Sequence, residues 1–123
     1  MTIKELLEKV DRLKPSAFDS ADKIAFLNEV EGVIYNNVIA ISAGNTTIFT
    51  AYKFPEDEEK TLLVPAPYDG LYYYYLCAKI DAENQEIESY SNNMALYNSL
   101  YEDFAAYYIR SHIPASSGYW RCS

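Results

Sequence analysis

The side chains that most often carry chemistry are sparse in this chain of 123 residues. Its single histidine, His112, ends a helical stretch and has no thiol or paired acid near it in the sequence. A helix C-terminus stabilises a cationic imidazole, so a structural role accounts for this residue. Cys77 and Cys122 form no CxxC pair, and the sequence has no phosphate-binding glycine loop and no metal-ligand spacing. The sequence therefore predicts a protein that is not an enzyme and needs no metal or cofactor.

Neither cysteine indicates a disulfide-stapled secreted fold. Cys77 lies inside an apolar helical run and is expected to be a small buried core residue, whereas Cys122 is expected to be a free thiol. The N-terminal sequence MTIKELLEKVDRLKP mixes apolar and charged residues and has no signal-peptide core. No uninterrupted apolar run approaches the length that spans a bilayer. We therefore expect a soluble, intracellular protein that does not bind membranes.

The charge of the chain is acidic, with 18 acids against 10 bases and a formal net charge of −8. The acidic surplus is present in both halves of the sequence, and no basic stripe is available to follow a phosphate backbone. Specific nucleic-acid binding is therefore not expected. An acidic surface is better suited to line a passage that DNA crosses without adhering to it.

The elements that position these side chains are mostly helical. Apolar spacing predicts four helices, at about residues 2–14, 20–38, 68–82 and 86–111. Thr2 and Glu5 form a capping box for the first helix, and Asp19 or Ser20 caps the second. The break between the third and fourth helices is short, so these two are expected to form a long antiparallel hairpin.

Between the second and third helices the spacing changes. Thr46–Phe54 is rich in β-branched and aromatic residues, Pro55–Glu59 is typical of an acidic turn, and Thr61–Val64 is suited to a returning strand. These features predict a β-hairpin at about 46–64, which must lean on the helices or on a neighbouring subunit. The predicted fold is a single domain over residues 1–123: a mainly α, small helical bundle with a long antiparallel helical hairpin and a short β-hairpin insertion.

The fourth predicted helix carries a row of apolar residues at alternating steps of three and four. These are Ile87, Tyr90, Met94, Tyr97, Tyr101, Phe104 and Tyr108. Such spacing is typical of a helix that packs lengthwise on another helix. Leu96, Leu100 and Ile109 lie off this row and widen the apolar arc, which favours a helix with two neighbours.

Four consecutive tyrosines, Tyr72–Tyr75, lie in the third predicted helix. Helical geometry spreads their rings around the axis, so Tyr72 and Tyr75 can face inward while Tyr73 and Tyr74 point elsewhere. Two interpretations stay open: a helix with an exposed partner surface, or a thick core whose phenolic tips reach water. Under the first interpretation, Tyr73 and Tyr74 form the subunit-packing face.

The C-terminal segment, about 115–123, is predicted to be a flexible tail because Ala115–Gly118 resembles a linker. It closes on Tyr119, Trp120 and Arg121, whose residue types dominate binding hot spots. We expect these three residues to contact a partner, and the alternative is a disordered end.

Several short patches of the chain match one family pattern. They are Leu62–Asp69 (LLVPAPYD), Leu71-Tyr72, Ala78–Asp81, Tyr90–Asn93, Tyr97-Asn98 and Arg110–Pro114, with Asp22-Lys23 and Leu27–Gly32 in the N-terminal part. Together they resemble the head–tail connector, or adaptor, proteins of tailed phages and prophages. None of these patches has the character of a catalytic motif.

The resemblance implies a small, mostly helical structural subunit that self-associates into a ring around the DNA passage. The implied partners are the portal protein and the tail-side connector proteins. The implied location is the head–tail interface of the virion, and the bacterial host cytoplasm during assembly. A second hypothesis is an acidic intracellular protein that inhibits a nucleic-acid enzyme by charge mimicry. Mimicry requires acids at phosphate-like spacing on one face, and in this sequence they are scattered.

Overall fold

The structure, a computed structural model, describes residues 1–112 of the chain. Its helices are α1 (Ile3–Leu13), α2 (Ser20–Ile34), α3 (Gly70–Glu83) and α4 (Ile87–Ser111), and α2 continues into a π-helical segment at Tyr35–Ile39. The predicted mainly α class is confirmed. The observed helix ends lie within two residues of the predicted ones, except that the second helix changes from α to π geometry before it ends.

Side-chain caps fix the starts of the first two helices. Thr2 accepts a hydrogen bond from the Glu5 amide at 3.2 Å, and the Glu5 carboxylate accepts one from the Thr2 amide at 2.9 Å. Asp19 and Asp22 form the same reciprocal pair at the start of α2. Each cap satisfies amides that have no partner inside the helix, which contributes about 1 kcal/mol. The predicted capping box of the first helix is therefore confirmed.

The helix α3 lies at the centre of the bundle, with the other three around it. It runs parallel to α1, because the N-terminus of the chain lies 3.8 Å from Asp69 and Lys14, the C-cap of α1, pairs with Asp81. It runs antiparallel to α2, because Tyr72 near its start bonds to Glu31, whereas Lys79 near its end lies 3.3 Å from the earlier residue Glu29. It forms an antiparallel hairpin with α4. A helix with neighbours on three sides must be apolar on most of its circumference.

The core lies between α3 and its three neighbours. Its fully buried side chains include Ile3, Leu6, Val10, Leu27, Val30, Ile34, Val64, Leu71, Tyr72, Leu76, Ile80 and Phe104. Burial of one such aliphatic or aromatic side chain contributes about 1.5–3 kcal/mol. The free thiol Cys77 is also buried, as expected from its apolar surroundings, and burial raises its pKa.

The predicted β-hairpin at 46–64 is wrong. Within the described residues no strand ladder forms there, and the single β-bridge joins Thr61 to Thr2 in an antiparallel pair. The segment has no regular secondary structure over 45–53, turns over 54–59, and returns without pairing to its own first half.

The reason is that the backbone of this segment bonds to the helical part of the molecule instead. Ile3 donates to the Lys60 carbonyl at 3.1 Å, and Leu62 donates to the Met1 carbonyl at 3.0 Å. The backbone of Tyr52 bonds to the side chain of Asn28 on α2. Buried backbone groups need a partner, and these bonds supply it without a second strand. We call residues 49–64 the strap, because they cross the bundle and tie the start of α1 to α2 and α3.

Within residues 1–112, no helix is both long enough and apolar enough to cross a membrane.

Candidate partner-binding surface

The four consecutive tyrosines of α3 reach different neighbours. Tyr72 is fully buried, and its hydroxyl donates to Glu31 on α2 at 2.6 Å. Tyr75 is half-buried and packs on Tyr97 of α4 with ring centres 5.2 Å apart. Burial is the main cause that raises the pKa of Tyr75 to about 12, and the negative charge of Glu29 and the hydrogen bond to it add to the rise. These two rings serve the core, in agreement with their expected inward orientation.

Tyr73 and Tyr74, the predicted subunit-packing pair, are half-buried on another side of α3. Their rings meet edge to face at 5.5 Å, and the Lys9 ammonium lies 4.7 Å from the centre of the Tyr73 ring. Burial is the main cause that raises the pKa of Tyr73 to about 12, and a hydrogen bond with Cys77 adds to the rise. Each ring is therefore partly covered by contacts inside the chain and partly exposed to solvent. Their part in a partner interface stays a prediction.

Beside this pair, α3 and α4 approach closely at Gly70. A Cβ atom added to Gly70 would lie 3.4 Å from Leu100 Cδ1 and 3.9 Å from Tyr74 Cε2, so these two side chains are neighbours across the helix pair. Leu96 precedes Leu100 by one helical turn and is 47% exposed. Tyr107 continues the same face of α4 and is 38% exposed. We call Tyr73, Tyr74, Leu96, Leu100 and Tyr107 the α3/α4 strip.

The predicted apolar row on α4 is buried at one end only. Along the row, the exposed fraction falls from 36% at Tyr90 to 7% at Tyr97 and 0% at Phe104. Ile87 is 76% exposed, whereas Tyr101, two heptads later, is half-buried. A straight α-helix drifts by about 20° per heptad relative to a strict seven-residue repeat, which rotates the start of the row away from α3. The sequence predicted that the row packs along its whole length, but its first turn is exposed.

This rotation leaves a second exposed apolar site at the start of α4. Ile87 lies between two open hollows of about 460 and 290 Å³. The larger is lined by acidic and polar side chains of the first turn of α4, and the smaller by the end of α3 together with Tyr90. Both hollows are shallow and open to solvent. Ile87 is therefore an exposed apolar site separate from the α3/α4 strip.

Lysines in the described part of the chain are largely engaged by its own acids. Ion pairs form at Lys4–Glu59, Lys14–Asp81, Lys23–Asp11, Lys60–Asp57 and Lys79–Glu29. With 18 acids and 10 bases in the sequence, this pairing leaves an excess of negative charge.

Two further predictions concern His112, whose ring contacts Tyr108, and the C-terminal residues, which lie outside the described range. His112 stacks on Tyr108 with ring centres 3.9 Å apart, and its Nδ1 lies 2.8 Å from the Tyr108 carbonyl oxygen. In the part of the chain that the structure describes, no group of three or more His, Cys, Asp or Glu side chains is arranged to hold a metal ion. Tyr119, Trp120 and Arg121 lie outside residues 1–112, so their predicted contact is not placed.

Sequence reasoning missed a buried carboxylate, Glu31, which is fully enclosed between α2, α3 and the strap. It accepts hydrogen bonds from the hydroxyls of Tyr52 at 2.7 Å and Tyr72 at 2.6 Å, and from the Leu63 amide at 3.1 Å. The signal for it was present in the sequence. Glu31 follows Leu27 by four positions, which places it on the apolar face of α2.

A second buried carboxylate, Asp81, was also missed. It lies near the α3–α4 turn, fully buried, and forms an ion pair with the Lys14 ammonium. Ser89 and Asn93 of α4 donate to its other oxygen at 2.7 and 2.8 Å. Burial raises the pKa of Asp81, but the hydrogen bonds from Lys14, Ser89 and Asn93 outweigh burial and hold the pKa below its ordinary value. This cluster joins the end of α1 to both helices of the hairpin.

The chain matches no protein-family model, and neither a curated protein nor a solved structure shows significant similarity to it.

Proposed function

We propose that the chain is a phage structural protein, a head–tail connector or adaptor subunit that joins the portal to the tail-side proteins by forming a ring around the DNA passage. In this role it acts by binding and not by catalysis. The proposal is supported by the resemblance of the patches between Asp22 and Pro114 to that family, together with the helical architecture and the acidic charge.

The observation that carries the proposal is the α3/α4 strip. The bundle already has a filled core around α3, yet apolar side chains continue outward across α3 and α4. Leu96 and Tyr107 are exposed on α4, and Tyr73 and Tyr74 are half-buried on α3. Clustered apolar residues at a surface mark an interaction site more often than scattered ones do. A ring subunit needs such a surface for its neighbour.

The test is co-purification with the portal protein encoded in the same genome, followed by mass measurement of the complex. We expect the wild-type chain to form a ring on the portal. Leu96→Gln removes apolar area from the strip without adding charge, and we expect it to weaken assembly by about tenfold, equivalent to about 1.4 kcal/mol. The matched control is Ile87→Gln, at the more exposed site away from the strip, and it should assemble like wild type.

Two results would contradict the proposal. One is failure of the wild-type chain to bind the portal or to form a ring on it. The other is assembly that dissolves steadily as salt rises, because an apolar contact persists at high ionic strength whereas a charge-mimicry contact is screened. Equal assembly of wild type and Leu96→Gln would show that the strip is not the interface, and the connector hypothesis would then rest on the resemblance alone.

A further inference from the structure

The strap is held on the bundle by two polar side chains one helical turn apart on α2, Asn28 and Glu31. The Asn28 amide bonds to both backbone groups of Tyr52: its Oδ1 accepts from the Tyr52 amide at 2.8 Å, and its Nδ2 donates to the Tyr52 carbonyl at 3.2 Å. Asn28 therefore satisfies the strap backbone as a neighbouring strand would. Glu31 holds the same segment through the Tyr52 hydroxyl and the Leu63 amide.

Glu31 is the junction of this network. Tyr52 and Leu63 of the strap donate to its Oε2, and Tyr72 of α3 donates to its Oε1. The Tyr72 hydroxyl in turn accepts from the Val64 amide at 2.9 Å. One carboxyl group thus connects both ends of the strap to two helices, and it is 0% exposed.

All three donors to Glu31 are uncharged. Among the ion pairs formed by residues 1–112, none includes Glu31. The titratable groups that face it are Tyr52 from the strap and Tyr72 from α3, and the charge of Asp57 acts on Tyr52. A buried carboxylate with no cation is costly, because hydrogen bonds replace only part of its hydration.

We propose that Glu31 is a proton-linked latch for the strap: the strap is held most firmly when Glu31 is protonated and the Tyr52 hydroxyl turns to accept its proton, and ionisation of Glu31 loosens the strap while the helices remain folded. Loosening exposes Tyr52, Leu62 and Val64, which are otherwise buried. The inference concerns the fold of one chain and does not depend on its assembly into a ring.

The sign of the effect follows from the burial of the carboxyl group. Burial raises the pKa of Glu31, and the hydrogen bonds from Tyr72, Tyr52 and Leu63 offset this only in part. The closed strap therefore binds the proton more tightly than the open strap does. Between the ordinary pKa of 4.5 and the raised value, the free energy that holds the strap falls as pH increases. Below 4.5 the full contribution of the protonated group is present.

The experiment is amide hydrogen exchange by NMR on the full chain, corrected for the intrinsic pH dependence of exchange. The reporters are the Leu63 and Val64 amides, and the reference is the Leu76 amide in the middle of α3. In wild type, the protection of the reporters relative to the reference should fall as pH rises above about 4.5, by at most about tenfold per unit. In Glu31→Gln, which keeps the shape and loses the titration, the ratio should not change with pH.

A second variant and a direct titration keep the inference testable if the Glu31→Gln substitution disturbs the strap. Tyr52→Phe removes one donor but leaves the carboxyl group, so the pH dependence of the ratio should persist. Carbon NMR of the Glu31 carboxyl group should give a midpoint above 4.5 in the wild-type chain. A midpoint at or below 4.5, or the same pH dependence in wild type and Glu31→Gln, would overturn the latch.

Discussion

Glu31 and Asp81 are both completely buried carboxyl groups, and of the two only Asp81 forms an ion pair within the described residues. Asp81 has the Lys14 ammonium beside it, together with two hydrogen-bond donors from α4. Glu31 has three donors and no ion pair within the described residues. The pKa of Asp81 is held below its ordinary value, whereas burial raises the pKa of Glu31. Burial outweighs the neutral hydrogen bonds at Glu31, whereas at Asp81 the hydrogen bonds from Lys14, Ser89 and Asn93 and the charge of Lys14 outweigh burial.

The two groups also differ in what they hold. Asp81 fixes the ends of α1, α3 and α4 against one another, so its contacts lie between regular helices. Glu31 fixes an irregular segment to α2 and α3. The ion-paired acid therefore secures the helical frame, and the acid without an ion pair secures the part that carries no secondary structure of its own.

The largest expected effect comes from removing the cation. Lys14→Met leaves Asp81 buried without its charge partner, and we expect the free energy of unfolding at neutral pH to fall by about 3 kcal/mol. Urea denaturation measures this change. The matched control is Lys4→Met, because Lys4 and Glu59 form an exposed pair that should contribute less than about 1 kcal/mol. Equal losses for both variants would show that burial of Asp81 does not make its ion pair special.

A smaller effect is expected from the neutral donors around Glu31. Tyr72→Phe removes the hydroxyl that donates to Glu31 and leaves the Val64 amide without its acceptor, so stability should fall by about 2 kcal/mol. Tyr52→Phe removes one hydrogen bond and should cost about 1 kcal/mol. Thermal and urea unfolding of the two variants compare them directly. A larger loss for Tyr52→Phe would contradict the central place given to Tyr72.

The pH profile of stability separates the two acids by sign. The folded-state pKa of Asp81 is lowered, so its contribution is complete above its ordinary value of 3.8 and is lost as pH falls through the lowered value. The pKa of Glu31 is raised, so its contribution declines as pH rises above 4.5. We therefore expect Asp81→Asn to reduce the loss of unfolding free energy at acid pH. We expect Glu31→Gln to reduce the loss of unfolding free energy above pH 4.5. Each unit of pKa difference between the folded and unfolded states is equivalent to about 1.4 kcal/mol. Urea unfolding across the pH range measures both, and a reduced loss in the same pH range for both variants would contradict the comparison.

Local sequence signals account for the parts of the fold that were predicted well. The capping box at Thr2 and Glu5 and the short break after Glu83 act within a few residues, so helix starts and the hairpin could be located from sequence. The strap could not, because β-branched residues in Thr46–Phe54 favour an extended backbone but do not specify its partner. That partner proved to be the Asn28 side chain, far away in sequence.

The candidate site was predicted less completely. The spread of Tyr72–Tyr75 around α3 followed from helical geometry, but which rings meet α1, α2 or α4 depends on how the bundle closes. Glu31 was visible in the sequence as an acid at an apolar position of α2, whereas its hydroxyl donors come from other elements. Long-range pairing of this kind leaves no periodic pattern in the chain.

The hydrogen bonds of the two acids also imply an order of folding. Those between Asp81 and α4 join residues 8 and 12 apart in the sequence, whereas those that Glu31 makes to Tyr52 and Tyr72 join residues 21 and 41 apart. The entropy lost on closing a loop increases with its length, and local contacts form fastest. The α3–α4 hairpin is therefore expected to nucleate the chain, and strap closure to follow as the last step.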